Sequence, residues 1–170
     1  HPPDAPGCGH GTWIESPGQL DSLTLPDPQR SGRWPLMVEA VRQAVAMVGD
    51  DLLVISNFDQ SPFDLACQLR GINRFMLDLR EAPDFAHRLL DFCARAVSRY
   101  ALVLAEAGAH VLNTGDSAAS GSLIGPRAYA EFAFPYEKQV FEAVRARFDT
   151  PITLHICGDT STCISRMIET

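Results

Sequence analysis

From residue 35 onward the apolar residues fall into two kinds of run. Long stretches carry them every third or fourth position, which is helical. Short stretches carry them almost continuously, which suits a strand covered on both faces. "PLMVEAVRQAVAMVG" spaces Leu36, Val38, Val41, Val45 and Val48 helically, with Pro35 in the first turn and Gly49 at the exit. "DLLVIS" (51–56) reads as a buried parallel strand. "FDLACQLRG" and "INRFMLDLR" read as two short helices divided by Gly71. A long helix runs from Pro83 to Ala107, and "AHVLNT" (109–114) follows as a second strand. After the polar loop "GDSAASGSLIGP", Pro126 opens a further helix with a bend expected at Pro135. "PITLHIC" (151–157) is the third strand, and "TSTCISRMIET" begins a last helix.

Strands alternate with helices, so the chain is α/β with a parallel sheet. Three strands alone leave both sheet edges open, and a closed eight-stranded barrel takes about 250 residues. The expected architecture is therefore a piece of a larger α/β protein, truncated at both ends. Residues 1–34, rich in Pro and Gly, form an irregular region of the same domain, and residues 35–170 hold its β/α units.

Composition narrows the function classes. Of 170 residues 46% are hydrophobic and 21% charged, which is ordinary for a globular chain. No apolar run reaches the roughly 18 to 20 residues of a membrane-spanning helix. The net charge of −7 and the scattered basic residues give no nucleic-acid footprint. Five cysteines, an odd number without a regular framework, argue against a disulfide scaffold and for a reducing, cytoplasmic setting.

Candidate chemistry gathers at the carboxyl ends of the three strands, where α/β folds build their sites. In "LHICGDT", His155 and Cys157 stand two apart, so a strand would turn both to one face. Imidazole and thiolate are zinc ligands, and a catalytic zinc takes three from protein. The same spacing also suits a histidine and a cysteine that merely pack, and on spacing alone the packing reading leads. Asn113, Asp116 and Ser117 follow the second strand. Asp116 could act as a base, orient a ligand or simply bond its own loop. Asn57 and Asp59 follow the first strand, placed to contact a substrate, and Ser61-Pro62 could start the next helix. Cys67, Cys93 and Cys163 fall on helices and read as packing. Cys8-Gly9-His10 has no strand to support it. No phosphate-cradling glycine loop or nucleophile elbow is present.

Taken together, "LPDPQRSGRWPLMVEAV", "SPFDLACQLRG", "LNTGDSAASGSLIGPRAYAEFAFPYEKQV" and "ITLHICGDTSTCISRMIET" resemble the uroporphyrinogen decarboxylase superfamily, in the family's order and over residues 25 to 170. The resemblance implies a (β/α)8 TIM barrel, of which this chain holds about three β/α units. One branch of the superfamily decarboxylates uroporphyrinogen without metal. The other moves methyl from a corrinoid to a thiol and carries a His-x-Cys pair as zinc ligands. "LHICGDT" matches that pair, whereas the decarboxylases have a glycine-rich stretch there. The decarboxylases' tyrosine is also missing from "SPFDLACQLRG".

These departures favour the methyltransferase branch. What it implies is zinc on His155 and Cys157, with a third ligand expected beyond Thr170. A corrinoid protein or free methylcobalamin would be the methyl source and a small thiol such as coenzyme M the acceptor. Asp116 would be the catalytic or supporting carboxylate, and Asn57, Asn113 and Ser117 would be substrate contacts. Two alternatives remain at this point: a decarboxylase of porphyrin biosynthesis, and a corrinoid- or tetrapyrrole-binding module without turnover.

Overall fold

A computed structural model describes residues 12–170. The Cys8-Gly9-His10 stretch lies outside them. Three parallel strands form one sheet in the order β1-β2-β3: β1 (Ile55–Asn57), β2 (Val111–Gly115) and β3 (Ile152–His155). The register aligns Asn57 with Asn113 and Asn113 with Thr153, and Gly115 with His155. α2 (Trp34–Val48) precedes β1; α3 (Pro62–Arg70), α4 (Ile72–Glu81) and α5 (Pro83–Glu106) run between β1 and β2, α6 (Gly125–Ala128) and α7 (Phe134–Arg145) between β2 and β3, and α8 (Ile164–Met167) follows β3. The region expected to be irregular also contains one short helix, α1 (Pro17–Asp21).

The sheet has two unlike faces. Ser56, Leu112 and Thr114 point to the helical layer and are buried. Ile55, Asn57 and His155 point the other way and are exposed, because the described residues put no layer over that face. This corrects the reading of 51–56 as a buried strand. Leu52, Leu53 and Ile55 are 65%, 72% and 63% exposed, and only Ile55–Asn57 pairs as a strand. The continuous apolar run signalled two covered faces, but the structure covers one.

α5 is the central helix. Pro83 sits in its first turn, where a missing N–H does no harm, and Asp84 stands near the positive end of the helix dipole. Leu89, Leu90, Cys93, Ala94, Ala101 and Leu104 are fully buried against the sheet, α3, α4 and α7. Burying each leucine contributes about 1.5–3 kcal/mol. Trp34 stacks on Tyr100 at 4.7 Å and 5°, which clamps α2 to α5. Leu36, which lies off the stripe of Val38 and Val41, is exposed.

The chain leaves α5 through Gly108 at φ +95°, a left-handed conformation that a side chain resists. Gly108→Ala is expected to lower unfolding stability by about 1–2 kcal/mol through that strain, since the added methyl itself meets Val45 at an ordinary 3.6 Å. Denaturant titration of the two proteins measures it.

The bend expected at Pro135 lies just before it. Residues Tyr129–Ala133 form a single π-turn between α6 and α7. Proline has no N–H and its ring crowds the carbonyl four residues back, so the turn ahead of it widens. Arg70 ties the segment before α1 to the core. It donates to Asp78 at 2.6 Å and to the carbonyls of Ile14 and Glu15 at 2.9 and 2.6 Å.

Candidate active site

The carboxyl ends of the strands are fastened to one another by polar groups. Ser61 and Thr114 share a buried hydroxyl hydrogen bond of 2.9 Å. The Ser61 amide donates to the Gly115 carbonyl and the Phe58 amide to that of Asn113. These bonds hold the loop after β1 against β2, with Phe58 and Ser61 buried and Asp59 left exposed.

On that face the residues in register form a polar row. The Thr153 hydroxyl donates to the side-chain oxygen of Asn113 at 2.7 Å, and the Asn113 side-chain Nδ2 donates to the side-chain oxygen of Asn57 at 3.1 Å. Asn57 in turn donates to Asp59, which also accepts the Gly115 amide at 2.6 Å. Asn57 and Asn113, read from the sequence as substrate contacts, are therefore neighbours on one wall.

One step further along the strands stand His155 and Cys157. β3 ends at His155, so Cys157 lies beyond the strand. The two still converge, with His155 Nε2 3.2 Å from Cys157 Sγ. Ser117 donates its hydroxyl to the same sulfur at 3.2 Å. The structure thus brings together three of the predicted site residues, each from a strand end. Tetrahedral zinc with its nitrogen and sulfur ligands at about 2.0 and 2.3 Å separates them by about 3.5 Å. The observed approach matches that edge within a few tenths of an ångström, and both residues are exposed. The donor set fits zinc as two ligands. No group of three or more His, Cys, Asp or Glu side chains able to hold a metal occurs among the described residues.

Asp116 is placed differently. It is completely buried and accepts hydrogen bonds from the Phe63 and Asp64 amides at the start of α3, at 3.3 and 2.7 Å. Asp64 returns the arrangement, accepting the amides of Ser117 and Ala118 at 3.0 and 2.7 Å. Each carboxylate thus caps the turn that carries the other. The Asp116 amide donates to the His155 carbonyl at 3.0 Å. Asp116 lies behind the wall, and direct contact with a substrate is not open to it.

A residue the sequence reading missed lies beside it. Glu137 is fully buried near Asp116 and accepts the Tyr129 hydroxyl at 2.6 Å through one oxygen, while its other oxygen, also buried, has no hydrogen-bond partner. Burial holds Asp116 well above the carboxylate range, reinforced by the nearby Glu137 charge. Burial likewise raises Glu137, to about 7. Two adjacent buried acids cannot both ionise, so they share a proton. The signal was available: Glu137 stands on the stripe of Val140, Phe141 and Val144, where a charged residue is out of place.

Burial also raises the Cys67 and Cys93 thiols, which keeps both protonated and inert. Cys163 is buried as well. Among the described residues the exposed cysteine is the one at the site, Cys157.

A three-strand parallel arc with its chemistry at the carboxyl ends defines a segment of a (β/α)8 barrel. A sequence model of the uroporphyrinogen decarboxylase (URO-D) family matches residues 10–170, and the chain belongs to that family. Among its relatives, the methylcobamide:CoM methyltransferase MtbA of Methanosarcina acetivorans is 33% identical over 139 residues, 82% of this chain and 40% of that protein. A uroporphyrinogen decarboxylase of Synechococcus sp. is 31% identical over 169 residues, 94% of this chain and 46% of that protein. The solved structure of a methyltransferase from Methanosarcina mazei superposes with a TM-score of 0.82 at 26% identity, covering 94% of this chain and 45% of that one. The chain thus spans less than half the length of these relatives.

Proposed function

We propose that this chain carries the zinc-binding wall of a methyltransferase that moves a methyl group from a methylated corrinoid to a small thiol. The observation that carries the reading is the convergence of His155 Nε2 and Cys157 Sγ at 3.2 Å on the open end of β3. Relatives named methylcobamide:CoM methyltransferase support the corrinoid donor and the thiol acceptor. His155 and Cys157 would be two protein ligands, with a third from outside the described residues. Bound zinc would supply the acidity that turns an acceptor thiol into a thiolate at neutral pH.

The chain's own groups support that task. Ser117 donates to the ligand sulfur and orients it, as outer-shell donors around zinc do. Asp116 acts as a positioning residue. Its carboxylate fixes α3, and its amide holds the His155 carbonyl. The row Asn57, Asn113 and Thr153 offers amide and hydroxyl groups to a bound acceptor. The setting is cytoplasmic, where the free thiols stay reduced.

The decarboxylase reading has its own support in the Synechococcus relative. One experiment separates the two. The full-length protein, purified without added metal, is analysed for zinc and assayed with methylcobalamin and a thiol, and separately with uroporphyrinogen. About one zinc per chain and methylation of the thiol are expected. A metal-free, folded protein that consumes uroporphyrinogen would overturn the reading.

A further inference from the structure

On the reading above, the described wall carries information about which thiol is accepted. β1, β2 and β3 and the loops that follow them (58–61, 116–124 and 156–163) contain no Lys or Arg. They contain Asp59, Asp116 and Asp159. Asp116 is buried behind the sheet, and Asp159 accepts the Ser161 amide of its own turn at 2.9 Å. Asp59 and Asp159 are both exposed, and of the two Asp59 is the one seated against β2, beside Gly115.

Its position follows from a glycine. Gly115 pairs with His155 across β2 and β3. A side chain at 115 would meet Asp59 Oδ1 at 3.3 Å, so the Asp59 carboxylate fills the space that glycine leaves. Adjacent strands lie about 4.8 Å apart, which puts the carboxylate one strand spacing from the strand that bears His155. It is held there by the Gly115 amide at 2.6 Å and by Asn57. The neighbouring cations do not offset it. Arg70 and Arg74 share a cleft with Gln60 and Asp64, and both are paired with Asp78.

We infer that the acceptor thiol presents a cationic or hydrogen-bond-donating group, not an anionic one, to Asp59. The carboxylate accepts a donor from the acceptor's far end while its sulfur lies at His155 and Cys157. A thiol ending in a sulfonate or carboxylate would instead meet like charge on this wall, which disfavours it.

The test uses the zinc-loaded full-length protein with methylcobalamin and three thiols that share a two-carbon skeleton: cysteamine, 2-mercaptoethanol and coenzyme M. The expected order of kcat/KM is cysteamine, then 2-mercaptoethanol, then coenzyme M, with about tenfold between the first and last. Asp59→Asn keeps an oxygen for the Gly115 amide and removes the charge. It is expected to erase most of that tenfold preference, with the larger share of the change in KM. Preference for coenzyme M in the unaltered protein, or an order unchanged by Asp59→Asn, overturns the inference while leaving the methyltransferase reading intact. Failure to methylate any of the three overturns both.

Discussion

Cys157→Ala in the full-length protein is expected to bring zinc down to background and to slow thiol methylation by more than about 100-fold. Loss of an outer-shell partner already weakens a metal site by about 10- to 100-fold, and Cys157 would be a ligand itself. His155→Ala is expected to do the same, because each leaves a site that retains one side chain of the converging pair. The folding outcome distinguishes this from general damage. Both side chains are exposed, and neither belongs to either apolar cluster. Exposed substitutions shift stability by about 0.5 kcal/mol or less, so the melting temperature of the metal-free protein should barely move. Elemental analysis and an initial-rate assay with methylcobalamin make the comparison. A Cys157→Ala protein that keeps both its zinc and its rate would return the pair to a packing role.

How legible this site was depends on what each residue answers to. The helices α2, α5 and α7 were readable because burial on one side of a helix imposes a period that does not depend on the rest of the fold. The strands were located less well. An apolar run reports hydrophobicity, not which face a neighbouring layer will cover, and Leu52 and Leu53 show the difference by their exposure. His155 and Cys157 stood out through their chemistry and their place in the chain. Strand period alone does not account for their convergence, since Cys157 lies past the last paired residue. Asp116 was legible as an unusual residue and illegible as a buried one. Its burial depends on α3 folding over it and on Glu137 arriving from a helix 21 positions later, and pairings at that distance leave no mark in a local pattern. Asp59 was visible as a loop carboxylate. Its exact seat depends on Gly115, a residue whose importance lies in what it omits.

The acid pair behind the wall gives the second large effect, and it runs opposite to the usual behaviour of carboxylates. Salt-bridged acids lose stability as pH falls. Glu137 has its folded-state value raised from the usual 4.5 to about 7 by burial, so the fold holds this proton more tightly than the unfolded chain does. The stabilisation is therefore fully present below pH 4.5 and is lost as pH rises through about 7. Asp116, raised in the same direction, adds to the trend. A shift of this size corresponds to roughly 3 kcal/mol across the window. The melting temperature of the full-length protein should accordingly fall between pH 5 and pH 7. Glu137→Gln, which is neutral at every pH in the window and keeps an oxygen for the Tyr129 hydroxyl, should flatten most of that slope. A slope as steep in Glu137→Gln as in the unaltered protein would mean that the pair does not hold the proton. The link to the site is direct. The Asp116 carboxylate caps α3 and its amide holds the His155 carbonyl, so charging the pair loosens the backbone that presents the imidazole.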